Sequence, residues 1–317
     1  VAPISAGTVQ KDDVLVTNFN NSANLQGVGS TIIDYNPTTK KMSVFAKLPR
    51  DLAGCPGGVG LSTAMTMLKS GWVIVGSAPS TDGTTKTKGA GCLVVLDSQG
   101  KVAGTIAGDM INMPWGNMAV IDKGDTATLF VSNAGFDVGS PEGEPPVVNE
   151  ATVLRIELSI PSGKPPTVVS QTVIGSGFGA QADKDVFLIG PTGLALGKDG
   201  TLYVSDASGN RINAIWDATT RDHSGRHRPG SDQGRPAEAP AGHDDRAERA
   251  PAGRQRAERA GGGDQPGDGR PDRRDLDRSE QGADAARSGD LFGIAMTPSG
   301  DGFYYVEDEV NTLVLAR

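Results

Sequence analysis

The sequence predicts an all-β chain built as a β-propeller, a ring of similar small sheets. Three observations predict it. Glycine (44) and proline (20) together make about one residue in five of the 317, a density of helix breakers that disfavours a mainly helical fold. Short runs of β-branched and aromatic residues recur between glycine-rich turns, the pattern of many short strands. The runs fall into groups of four strands that recur every ~45–60 residues, and radial repetition of one such unit gives a propeller rather than a sandwich.

The expected strands are 13–18, 31–35 and 42–47 in the first group, then 61–67, 72–76, 92–97 and 102–106 in the second. The third holds 116–121, 128–133, 152–156 and 167–173, and the fourth 191–196, 201–206 and 211–216. A last group is 291–296, 302–307 and 312–315. Each group after the first opens with a small-residue strand, suited to the crowded position near a ring axis. The next strand is strongly apolar and ends in Asn or Asp. Asp199-Gly200 and Ser299-Gly300 supply the positive φ of a tight hairpin. The first group lacks an inner strand and the last an outer one. The termini are therefore expected to share a blade and close the ring, leaving no open sheet edge. The expectation is one propeller domain over 1–317, six-bladed with four-stranded blades.

The segment 221–288 breaks the pattern. It holds 14 Arg, no Lys, 14 acidic residues, all three His and one aliphatic larger than Ala, Leu276. Elsewhere there are 16 basic and 24 acidic residues, so the rest carries the whole net charge of −8. As written, the segment has almost no apolar surface to offset the entropy of folding and reads as disordered. Read from the second base of each codon, 241–265 can encode PAMTIAPNGHLLVVNGLNGQVVEIN, a strand–turn–strand unit with an Asn-Gly turn. The segment is thus expected to be the missing sixth blade, written out of frame between two compensating shifts, before Arg221 and near Ser288.

Gly193-Leu-Ala-Leu-Gly-Lys-Asp-Gly-Thr-Leu-Tyr-Val-Ser-Asp206, followed by Gly209-Asn-Arg-Ile212, resembles an NHL or YVTN-type propeller repeat. The whole body is similar to secreted bacterial proteins of that class. The resemblance implies an extracytoplasmic protein, secreted or periplasmic, with six blades. It is specific for fold rather than activity, since such scaffolds serve binding proteins, lactonases and lyases alike. The start at Val1, without Met or an apolar leader, suits a mature chain after signal-peptide removal. Cys55 and Cys92 fall in one blade, either as a disulfide or as two buried thiols.

Chemistry is constrained by the histidines. His223, His227 and His243 all lie in the anomalous segment, which disfavours Ser–His and Cys–His nucleophilic catalysis and histidine-built metal sites. Gly175-Ser-Gly-Phe-Gly-Ala180 matches G-x-G-x-x-A as a string, but no helical periodicity follows. It reads as a loop between blades. Asn18, Asn133, Asp206 and Asp308 end second strands and are expected to ring one mouth of the channel. There they either cap turns or offer oxygen ligands to Ca²⁺ or a polar, sugar-like ligand. Lactonase-type propellers hold calcium with Glu, Asn and Asp, so the resemblance allows calcium here. Trp115 is a candidate stacking residue or a packing residue. The long polar loops 19–30, 78–91 and 136–150 are expected to carry recognition on one face.

The leading expectation is a monomeric scaffold that binds a protein, glycan or small polar ligand across one face, without chemistry of its own. The alternative is a Ca²⁺-dependent lactonase or hydrolase without a catalytic His. The acidic balance argues against a nucleic-acid partner. No apolar run reaches the ~20 residues that a spanning helix needs.

Overall fold

The computed structural model describes residues 1–226, 291–307 and 312–316. The restored-blade expectation for 241–265 and the candidate Asp308 lie outside the described residues. The chain divides into a unit of 1–229 with 289–317 and a second of 230–288, which lies wholly outside them. The first unit is all-β. Among the described residues the helical content is one 3-10 turn, Thr85–Thr87, and no helix is long and apolar enough to cross a membrane.

The strands form successive antiparallel meanders in chain order. β1 (Val14–Thr17), β2 (Thr31–Asn36) and β3 (Lys41–Lys47) make the first sheet. β4 (Leu61–Met67), β5 (Val73–Ser77), β6 (Cys92–Leu96) and β7 (Val102–Ile106) make the second. The third runs β8 (Ala119–Asp122), β9 (Thr126–Asn133), β10 (Val148–Ser159) and β11 (Thr167–Ala182), extended by β12 (Leu188–Ile189). β13 (Pro191–Leu196), β14 (Leu202–Asp206) and β15 (Arg211–Ile215) follow, and β16 (Gly225–Arg226) pairs parallel with β11. β17 (Leu291–Met296), β18 (Phe303–Glu307) and β19 (Thr312–Ala316) form the last sheet. As expected, the first and last sheets hold three strands. No pairing joins them to each other among the described residues.

Side-chain alternation along each strand explains why the sheets stack as blades. Val73 and Val75 of β5, with Cys92, Val94 and Leu96 of β6, pack against Ile32, Phe45 and Ala46 of the first sheet. The intervening Ile74, Leu93 and Val95 face Leu129, Val131 and Ile156 of the third sheet. Phe130 and Val153, from the opposite face of that sheet, meet Leu194, Leu202 and Val204 of the next. Period-2 alternation that is apolar on both phases buries both faces of a sheet. This is propeller blade packing.

The small-residue strands sit where adjacent sheets come closest. Gly116 lies directly against the Thr192 carbonyl, where a Cβ would collide. Leu61 N–H donates to Gly29 O at 2.9 Å, and Thr63 Oγ1 to Trp115 O at 3.0 Å. Asn117 clamps the next sheet with Nδ2 to Leu194 O at 2.9 Å and Oδ1 accepting Leu194 N–H at 2.7 Å. One expectation is corrected here. Residues 175–180 are not a loop but the end of β11, with Phe178 and Ala180 buried. Glycine suits the crowding, since Gly175 lies against the Ile215 and Phe178 side chains.

Cys55 and Cys92 are disulfide-bonded, Cα atoms 5.1 Å apart, tying the turn before β4 to the start of β6. Closing a loop across a sequence separation of 37 restricts the unfolded chain by about 3–4 kcal/mol. Replacing both cysteines with Ala should lower the denaturant-unfolding free energy by about that amount, and an unchanged midpoint would contradict it.

A second tension lies in the first sheet. Asp13 and Asp34 are both buried. Asp13 is satisfied, its Oδ1 accepting Asn36 Nδ2 and its Oδ2 accepting Gln10 N–H, each at 2.7 Å. Asp34 Oδ1 is buried without a hydrogen-bond partner. Burial, then the neighbouring Asp13 charge, raises the Asp34 pKa to about 6. A carboxyl raised in the folded state contributes stability that is complete below its unfolded value and lost as pH rises through about 6. The protein should therefore melt higher at pH 5 than at pH 7. Asp34→Asn should shrink that difference, and an unaltered pH profile in the variant would count against Asp34 as its source.

Candidate functional site

The three long loops converge. Ser80 N–H donates to Gly27 O at 2.8 Å, joining the β1–β2 and β5–β6 loops, and Arg50 donates to Val28 O and Ser80 O at 3.1 and 3.3 Å. Lys86 Nζ meets Glu142 Oε1 at 3.1 Å, joining the β5–β6 and β9–β10 loops across solvent. Gln26 Nε2 donates to Asp185 O at 2.9 Å, and Gln181 Nε2 to Pro145 O, so the approach to β12 joins the same group.

Within the β5–β6 loop, Asp82 Oδ1 accepts Thr87 Oγ1 at 2.7 Å, Thr84 Oγ1 at 2.8 Å and Thr84 N–H at 2.9 Å. These bonds, the Thr87 hydroxyl foremost, hold the Asp82 carboxyl below its usual range. Lys88 is half-buried, and burial lowers its pKa against the opposing pull of Asp137 in the β9–β10 loop. The Lys88 amine is therefore partly desolvated near the exposed Asp137 carboxylate.

Beneath the loops lies an aromatic floor. Phe19 meets Trp115 edge-on at 5.4 Å and Phe187 edge-on at 5.3 Å, while Trp115 and Phe187 stack at 5.9 Å. Trp115 is only 7% exposed, so its indole packs in this floor. Phe187 and Met113 are fully buried with φ of +67° and +53°. Left-handed backbone at bulky side chains costs roughly 1–3 kcal/mol and persists only where the surroundings over-determine it.

The strand-end residues occupy matching places, and each binds a residue of the following strand. Asn18 Nδ2 donates to Thr31 Oγ1 at 2.8 Å, Asn133 Nδ2 to Thr152 Oγ1 at 3.3 Å, and Asp206 Oδ2 accepts from Arg211 Nε and a terminal guanidinium nitrogen at 3.0 Å each. Asn133 is fully buried; its Oδ1 accepts Asn112 N–H at 3.2 Å and its Nδ2 reaches Met110 O at 3.1 Å. Asp206, 1% exposed, also accepts Gly209 N–H at 3.0 Å. Asn18 is exposed. Asn133 Oδ1 is thus engaged by the Asn112 amide before β8, and the Asp206 oxygens by Gly209 and Arg211. Among the described residues no group of three or more His, Cys, Asp or Glu could hold a metal ion.

Sequence reasoning missed the serines that cross-link inner and second strands. Gly60, Gly116 and Gly193 N–H donate to Ser77, Ser132 and Ser205 Oγ at 3.0, 3.2 and 2.6 Å. The available signal was the recurrence of Ser at the ends of the apolar strands.

No family model matches the chain, and no curated protein matches it. Solved structures do. Hydrazine synthase of Kuenenia stuttgartiensis aligns at 10% identity and a TM-score of 0.34, covering 92% of this chain and 65% of that one. The chain therefore spans just under two thirds of that protein's length. A candidate 6-phosphogluconolactonase of Bacteroides fragilis aligns at 12% identity and a TM-score of 0.33, with 96% of this chain and 81% of that one covered. A periplasmic gluconolactonase of Pseudomonas aeruginosa aligns at 9% identity and a TM-score of 0.28, with 97% and 82% covered. Likeness at this level assigns neither ligand nor chemistry to this chain.

Asn133→Ala should destabilise the fold by about 1–3 kcal/mol, because the Asn112 amide and Met110 carbonyl lose their partner in a buried setting. Asn18→Ala, at the exposed equivalent, should stay within about 0.5 kcal/mol. Equal effects in urea unfolding would refute this division.

Proposed function

We propose that the chain is an extracytoplasmic propeller scaffold that binds a protein, glycan or small polar ligand across its loop face, without chemistry of its own. The observation that supports this best is the mutual anchoring of the three long loops through Gly27–Ser80 and Lys86–Glu142 over the Phe19–Trp115–Phe187 floor. Loops held by a rigid scaffold form a preorganised surface, which lowers the entropy lost on binding. The Cys55–Cys92 disulfide supports a secreted or periplasmic setting.

The proposal extends the NHL/YVTN-like resemblance to a monomeric six-bladed ring closed by the termini. Its sixth blade is written out of frame within 221–288. The acidic chain is not a nucleic-acid binder in this reading.

The test is a glycan array probed with the wild type and with Lys86→Ala/Glu142→Ala. Removing an exposed ion pair costs at most about 1 kcal/mol, so the double variant should fold normally while losing at least half of the wild-type array signal. Undiminished signal would rule out the loop face. Calcium provides the discriminating control. A rise of several degrees in melting temperature with Ca²⁺, together with lactone hydrolysis, would replace the scaffold reading by the Ca²⁺-dependent lactonase or hydrolase.

A further inference from the structure

The sheets are not equally complete. Third strand β6 is covered by β7 and β10 by β11, and β6 is buried throughout. The third strand β15 has no outer neighbour among the described residues. Its flank is apolar and open, with Ile212 67% and Trp216 48% exposed. Unpaired backbone groups beside exposed apolar side chains make a template for another strand.

The chain turns as though to supply that strand. Between β6 and β7 the reversal is closed by Asp97 N–H to Lys101 O at 2.9 Å and Gly100 N–H to Asp97 O at 3.0 Å. After β15, Thr220 N–H and Arg221 N–H both donate to Asp217 O, at 3.0 and 2.8 Å, with Asp217 at φ +53°. Arg155 holds the turn by donating to Ala218 O at 3.1 Å. The chain is thus reversed by Arg221. Yet Gly225–Arg226 pair in parallel with Gly175 and Ser176 of β11, not with β15.

The written residues explain the failure. Residues 222–232 are Asp-His-Ser-Gly-Arg-His-Arg-Pro-Gly-Ser-Asp, without one Val, Ile, Thr, Phe, Tyr or Trp. The codons of that same stretch, read from their second base, encode the opposite. Asp222, His223, His227 and Asp232 each become Ile or Thr whatever their third bases, because A-pyrimidine-C, A-pyrimidine-T and A-pyrimidine-A code only for those two. Gln233 becomes Lys or Arg on the same reasoning, and Gly225, Arg226 and Arg228 each become Val, Ala, Gly or an acidic residue. Four forced β-branched residues begin one position after the turn.

We infer that the outer edge of β15 is a strand-docking surface, and that its occupant is the strand encoded one base out of register with residues 222–232. This rests on the out-of-frame reading of 221–288 and adds to it the place of the first shift, at the Asp217–Arg221 turn. The occupant covers Ile212 and Trp216 and completes a four-stranded blade, as β7 does for β6.

The test combines gene sequencing with amide hydrogen exchange on three full-length chains: as written, restored, and restored with proline at position 227. Sequencing should place a one-base shift at codons 217–221. The β15 amides that do not bond β14 should exchange about 100-fold more slowly or better in the restored chain than in the other two. If the chain as written fails to fold, the comparison with the proline chain still decides. Uninterrupted in-frame arginine codons would overturn the frame reading and this inference with it. A confirmed shift with β15 amides equally fast in the restored and proline chains would overturn the docking alone. Protection that grows with protein concentration would assign the edge to a second copy and likewise overturn it.

Discussion

Each complete sheet among the described residues packs against a neighbour on both faces. A strand alternates its side chains strictly, so one sequence must satisfy two different neighbours at once. Val73 and Val75 serve one side while Ile74 serves the other, and Leu129 and Val131 oppose Phe130 in the same way. A one-residue slip would exchange the two sets and disturb both interfaces together. The small-residue strands and their close backbone approaches follow from the same requirement. Sheets buried on both sides can come together only where side chains shrink to Gly, Ser or Ala.

That requirement also places the loops. Because each second strand is fixed in register by two cores, its end is a fixed point, and the connection to the third strand starts from a known place. Asn18, Asn133 and Asp206 stand at those points and bind the returning strand at Thr31, Thr152 and Arg211. The long insertions then project from anchored stems. The β1–β2, β5–β6 and β9–β10 loops can therefore contact one another instead of moving separately, and the aromatic floor of Phe19, Trp115 and Phe187 closes the space beneath them.

Much of the fold was legible. Strand runs such as Val73–Ser77 and Leu202–Asp206 announce themselves by composition, and Asp199-Gly200 fixes its hairpin. That the first sheet holds three strands was legible from the order of strand types. The Gly175–Ala180 strand was not, because glycine hides alternation and the partner that draws it into β11 is the unusually long β10. The candidate site was less legible. Asn and Asp at strand ends look alike in sequence whether they cap a turn or hold a ligand, and the bonds of Asn133 to Asn112 and Met110 reach parts of the chain that no local pattern points to. The cysteine pairing needed a Cα separation, and the Asp13–Asp34 pair needed the register of β1 on β2. The clamp from Asn117 to Leu194 joins different sheets, which no local pattern reveals.

Burial on both faces requires a neighbour for every blade, so an open stack would leave apolar faces at its ends, and a ring leaves none. The most direct measurement is a crystal structure of the chain expressed from the resequenced gene. Six four-stranded sheets around one axis are expected, with the three anchored loops on a single face and β15 covered by an outer strand. Sheets that stack without circling an axis, or long loops divided between opposite faces, would contradict this arrangement.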